Sequence, residues 1–193
     1  YNNNGYWLKS SGGEMFSIVG NKNEINNFNF HYGANLMAYT CAYPSMINEV
    51  ISPETINTII GEGTATTYNP ILGWVGSLST LDPGRGYWMI SSENNAELSY
   101  DCPEGLEEEL LSRQVITPPI DYVQSTQQAF YFFADVEGIV QGDIINSYYQ
   151  NQLIGSRVWN GPYSDVPAMG FDFQEETQNY PTEGSLITFK VQK

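Results

Sequence analysis

The chain carries one histidine, His31, two cysteines, Cys41 and Cys102, and 22 carboxylates, and side-chain catalysis or metal binding would draw chiefly on these. A Ser–His–Asp or Cys–His centre needs His31 beside its nucleophile. That histidine closes the alternating segment Asn27-Phe28-Asn29-Phe30-His31, and no Gly-x-Ser-x-Gly turn occurs. It reads as a strand histidine satisfied by its surroundings. Carboxylate pairs for glycoside hydrolysis exist by number alone, and none sits in a recognisable context. No catalytic residue is assigned, and the chain reads as a non-enzyme.

Ser11-Gly12-Gly13 lacks the Lys and the following helix of a phosphate-binding loop and reads as a hairpin turn. Two acidic turns, Asp135 with Glu137 and Asp143, and Asp172 with Glu175 and Glu176, are where an oxygen-liganded cation such as calcium would sit. Neither has EF-hand spacing, so the expectation is no cofactor, with calcium as the weak alternative. Cys41 and Cys102 are not in CxxC spacing and lack metal-ligand neighbours. In an exported protein they pair as one disulfide, the alternative being two buried thiols. A bridge would close a loop of ~60 residues and stabilise by ~4 kcal/mol in the chain-entropy model.

These groups must be positioned by a turn-rich β scaffold. Gly 18, Pro 10, Tyr 14 and Phe 9 favour short strands and many turns over helices. Alternating segments run over Gly5–Ser10, Glu14–Val19, Asn27–His31, Ala34–Tyr39, Ala65–Asn69, Gly73–Ser77, Tyr87–Ser92 and Glu97–Asp101. Ser45 is placed to cap a short helix ended by Pro53. Farther on, Ala129–Val136, Asp143–Tyr149, Leu153–Trp159, Asp165–Met169 and Ser185–Val191 read as strands, with a hairpin at Gln150-Asn151-Gln152. In the last of these, Ile187, Phe189 and Val191 are expected to face inward.

Between the two runs, residues 103–113 read as a short acidic helix with Leu106 and Leu110 on one face, and Thr117-Pro118-Pro119 as a stiff link. The expected architecture is all-β, two tandem β-sandwich-like domains, 1–102 and 122–193, joined by a linker at 103–121.

The 7 Lys and Arg against 22 Asp and Glu give a net charge of −15. Such a field repels phosphate backbones and anionic membranes, so neither nucleic acid nor membrane insertion is expected. No run approaches the ~18 apolar residues of a membrane helix. Tyr1, where an initiator Met would stand, suits a processed exported protein or a cloned fragment. Asn-x-Ser/Thr acceptors for N-glycosylation are absent.

Gly5-Tyr6-Trp7-Leu8-Lys9-Ser10-Ser11 reappears as Gly86-Tyr87-Trp88-Met89-Ile90-Ser91-Ser92, with five of seven positions identical. The second copy follows Leu81-Asp82-Pro83-Gly84-Arg85, whose Pro-Gly turn sends Tyr87 and Trp88 to opposite faces of the next strand. With Ala34-Asn35-Leu36-Met37-Ala38, this resembles a β module of large exported bacterial proteins, in which a Trp-Asn-Leu-Ile-Gly strand precedes a Pro-Gly-Lys-Gly-Tyr-Trp strand. Ala34 stands where that family usually carries Trp. Gly142-Asp143-x-Ile145, Gly155-x-Arg157-x-Trp159, Asp165-Val166-Pro167-Ala168-Met169-Gly170 and Thr188-Phe189-Lys190 resemble a second exported β-sandwich module. The resemblances cover most of the chain and imply secreted or surface-attached modules with no catalytic residues to carry over.

The first Gly-Tyr-Trp copy is then expected to close a unit whose body does not precede it. Gly5, Tyr6, Trp7 and Leu8 are the candidate assembly strand, donated to a sheet edge of a neighbouring copy, with pairing inside the chain as the rival. The functional expectation is an extracellular structural subunit whose partners are copies of itself. The alternative is a carbohydrate-binding or adhesive module whose partners are surface glycans.

Overall fold

The computed structural model describes residues 27–103 and 121–193. The strands expected at Gly5–Ser10 and Glu14–Val19, the acidic helix from residue 104 onward and the Pro118-Pro119 link lie outside the described residues. In chain order the elements begin with β1 (Asn27–Phe30), β2 (Gly33–Ala38), β3 (Ser45–Met46), α1 (Ile47–Val50) and β4 (Ile56–Ile60). There follow β5 (Ala65–Asn69), β6 (Gly73–Gly76), β7 (Thr80–Leu81), β8 (Gly86–Ser91) and β9 (Ala96–Ser99). The remainder are β10 (Gln128–Phe133), β11 (Ile144–Tyr149), β12 (Gln152–Val158), β13 (Ser164–Met169), a single 3-10 turn (Glu175–Thr177) and β14 (Thr188–Gln192). The chain is all-β. Its described residues form two compact units, 27–61 with 79–103, and 62–78 with 121–193. Residues 62–78, read from sequence as part of the first block, therefore group with the second.

In the first unit β8 is a central strand, antiparallel to β2 on one edge and β4 on the other. Its alternation places Tyr87, Met89 and Ser91 in the interior, with Trp88 and Ile90 half-buried on the opposite face. Gly84, at φ +74°, makes the preceding turn, a left-handed conformation that glycine adopts without steric cost. Tyr87 is locked to that turn, because the Asp82 N–H donates to its Oη at 2.8 Å. β1 pairs with β9 and buries Phe28 and Phe30. Phe28, Tyr100 and Tyr39 stack in a row with centroid spacings of 5.7 and 5.8 Å. Ser45 does not cap α1: it is buried in β3, where its Oγ shares a 2.6 Å hydrogen bond with Tyr39 Oη. The helix starts after Met46 with no side-chain cap.

The second unit is a small sandwich. A β10–β13 ribbon packs on a β12–β11–β14 sheet, and the β5–β6 hairpin completes the unit. Gln150 and Asn151 form the β11–β12 turn with both φ values positive, 47° and 70°, as a tight primed hairpin requires. Two clusters fill the interior, one around Ile154, Met169 and Tyr180, the other around Ile145, Trp159 and Val166. Phe189 of β14 meets Tyr131 and Phe133 of β10 edge-on at 4.9 and 5.0 Å, joining the layers. Of the residues expected inward on the last strand, Ile187, just before β14, and Phe189 pack on the clusters, while Val191 is 40% exposed.

Candidate functional site

The motif residues of the second unit converge on one buried polar node. Asp165, at the start of β13, has a fully buried side chain and lies 3.1 Å from Arg157 Nη2 on β12. Its carboxylate also accepts from the Ala65 N–H at 3.0 Å, the Ser77 N–H at 2.7 Å and Ser77 Oγ at 2.9 Å. Arg157 in turn donates to the carbonyls of Asp165 and Gly63. Residues 62–78 thus grip an anion placed some ninety residues later in the chain, which is why they belong to this unit. Burial raises the Asp165 pKa, while Arg157 and then Ser77 pull it down. Four donors converging on one carboxylate make it an ionised structural anchor, satisfied on all sides.

Gly155 and Trp159, which flank Arg157, have equally structural roles. A Cβ on Gly155 would lie 1.8 Å from the Pro167 carbonyl, so only glycine lets β12 close on β13. Trp159 fills the cluster with Ile145 and Val166. In the first unit, Asn35 ties the β1–β2 corner: its Oδ1 accepts from the His31 N–H, and its Nδ2 donates to the carbonyls of His31 and Gly33. His31 itself is exposed just beyond β1, with Nδ1 2.7 Å from the Tyr32 carbonyl oxygen.

Cys41 and Cys102 form a disulfide, with Cα atoms 5.3 Å apart, beside the Tyr39–Tyr100 stack. In the first acidic turn Asp143 accepts from the Val140 N–H and from Lys193 Nζ, and both interactions hold its pKa below the ordinary carboxylate range. In the second, Asp172 binds the Thr126 N–H and Thr177 Oγ1. Among the described residues no three His, Cys, Asp or Glu side chains gather as a metal cluster. Nor is any helix among them long and apolar enough to cross a membrane. The assembly-strand candidates Gly5, Tyr6, Trp7 and Leu8 lie outside the described residues.

Two surface features escaped the sequence reading. At the tip of the β5–β6 hairpin, Ile71 is 91% exposed and Leu72 56% exposed. Asn69 Oδ1 accepts from the N–H groups of both, so the tip is held in shape rather than loose. The second feature is the edge of β10. This strand reads Gln-Ala-Phe-Tyr-Phe-Phe, without charge, Gly or Pro, and pairs with β13 on one side; among the described residues no strand pairs with its other side. The signal was visible as an uncharged aromatic run, but whether such a run is central or at an edge is a property of the whole sheet. No protein-family model, curated protein or solved structure matches the chain.

Proposed function

We propose that the protein is a non-catalytic extracellular structural subunit that assembles with copies of itself, using Gly5, Tyr6, Trp7 and Leu8 as a strand donated to a neighbour. One observation carries this reading. The segment Gly86–Ser91, which matches Gly5–Ser10 at four of six positions, is a central strand, hydrogen-bonded on both edges, with its tyrosine fully buried. A second segment of the same pattern has the same requirement for flanking strands and for a pocket to take its aromatic ring. A neighbour's sheet supplies both. The disulfide supports the extracellular part, since such bonds persist in oxidising compartments. Two tandem β-sandwich-like modules are the architecture that suits this role. Removing residues 1–10 is expected to abolish the concentration-dependent rise in mass seen by light scattering. Unchanged assembly of the truncated chain would rule out donation by this strand.

One feature favours the adhesive, glycan-binding alternative. Tyr32 is 66% exposed, its backbone N–H donates to Asn94 Oδ1, and the preceding His31 N–H donates to Asn35 Oδ1. An exposed ring flanked by amides is the chemistry that stacks on the C–H face of a sugar. Binding to a glycan array that disappears in Tyr32→Ala would select that reading.

A further inference from the structure

The geometry points to the edge of β10 that no described strand pairs with, specifically the backbone of Phe130 and Phe132, as the place where a strand from a second copy of this chain adds. The inference rests on the self-assembly reading above and names its acceptor. In an antiparallel pair, opposed residues alternate between exchanging hydrogen bonds and pointing their polar groups away. β13 shows which residues do which. Pro167 has no N–H, the Pro167 carbonyl accepts from Ser147 Oγ and the Asp165 carbonyl accepts from Arg157 Nε. Those two residues therefore turn their backbones away from β10. Their partners in register are Phe130 and Phe132, which face outward in the same way. The bonds flanking the strand agree, because the Gln127 and Phe133 carbonyls face β13, accepting from Gly170 and Tyr163.

Two other strands of this unit, β13 and β14, carry deterrents to pairing. β13 spends its outward carbonyls on side chains and presents a proline. β14 carries Lys190 and ends beside Lys193, and lysine on an edge is a standard deterrent to pairing. β10 has neither device. It is six residues long and aromatic, and its ring surface would contribute side-chain contacts beyond the backbone ladder.

Charge selects the occupant. Two copies each carrying −15 repel over most of their surface, but β10 carries no charge. Residues 1–13 contain Lys9 and no carboxylate, in a chain with three times as many acids as bases. The end of β10 leads to the exposed acids Asp135 and Glu137. The weakly cationic residues 1–13 of a second copy, the donated segment proposed above, match an uncharged edge with an acidic flank.

The test uses the full chain, with hydrogen exchange of 128–133 followed from dilute to concentrated solution and mass followed by sedimentation. Assembly is expected to slow exchange at Phe130 and Phe132. Phe132→Ala and Phe132→Pro lose the same ring, but only the proline loses the outward N–H, a change edge strands tolerate. The proline variant is expected to associate about tenfold more weakly than the alanine variant, roughly one ladder bond. Assembly without protection at 128–133, or equal association of the two variants, overturns β10 as acceptor and leaves self-assembly standing. Protection that persists after removal of residues 1–10 supports β10 and shows the donor to be another strand of the second copy. A wild-type chain that stays monomeric at every concentration overturns both.

Discussion

The two units hold similar β architecture together by different means. The first is closed by a disulfide beside a row of stacked aromatic rings. The second contains no cysteine and instead places a fully buried carboxylate where strands from distant parts of the chain meet. A disulfide acts chiefly on the unfolded chain, whose freedom it restricts, and asks little of the native packing around it. A buried ion pair acts only in the native state, and its value depends on every remaining lone pair and proton being satisfied. The first device therefore tolerates local imperfection and fails under reductant. The second is indifferent to redox conditions and is intolerant of losing any one member.

The largest effect expected from this contrast is at Asp165. Asp165→Ala leaves the Arg157 guanidinium, the Ala65 and Ser77 amides and a hydroxyl without their acceptor, and should cost about 3–5 kcal/mol. Urea unfolding measures the loss, and hydrogen exchange should show residues 62–78 opening first. The double change Asp165→Leu with Arg157→Met should recover much of the loss, because it removes both buried charges together. A single-variant loss near zero would mean that apolar packing, not the ion, fastens the hairpin.

Reduction of Cys41–Cys102 comes next. For a sequence separation of 61 the chain-entropy model gives about 4 kcal/mol, and residual order in the reduced unfolded chain will lower it. Exchange should accelerate in 27–61 and 79–103, while 121–193 keeps its protection. Equal acceleration in both would break the comparison, since the bond would then be stabilising the second unit as well.

Local pattern made part of this legible. The strict polar–aromatic alternation of Asn27–Phe30 and the Gln150-Asn151 turn each contain the whole of their own explanation. So does the Pro83-Gly84 turn that sends Tyr87 inward. β4 was missed because a bulge between Ile56 and Thr58 breaks its alternation. β3 and β7 are two residues each, too short to carry a period. The grouping of 62–78 with the second unit was out of reach for a different reason. Nothing near Ala65 or Ser77 announces that its amide will bind a carboxylate on β13. Ser45 failed as a cap for a related reason, since its hydroxyl found a tyrosine in the interior.

The smallest effect tests the first unit by its polar interior rather than its covalent bond. Burial pushes the Tyr87 phenol up to about 12, against a smaller downward pull from the Asp82 N–H. An unfolded tyrosine ionises near pH 10, so between those values the unfolded chain has lost a proton that the native state still holds. The stabilisation from this site is complete below pH 10 and is lost as pH rises toward 12, by about 2–3 kcal/mol in all. Tyr87→Phe removes the titration and also the acceptor of the Asp82 N–H, so at neutral pH the variant should be about 1 kcal/mol less stable. As pH rises through the window the wild type alone pays for Tyr87, and the two stability curves should converge and then cross. Urea unfolding of both proteins from pH 8 to 12 reads this directly. Parallel curves would mean that the phenol titrates as it does in the unfolded chain, and that the β8 turn is held by the shape of the ring rather than by its buried hydroxyl.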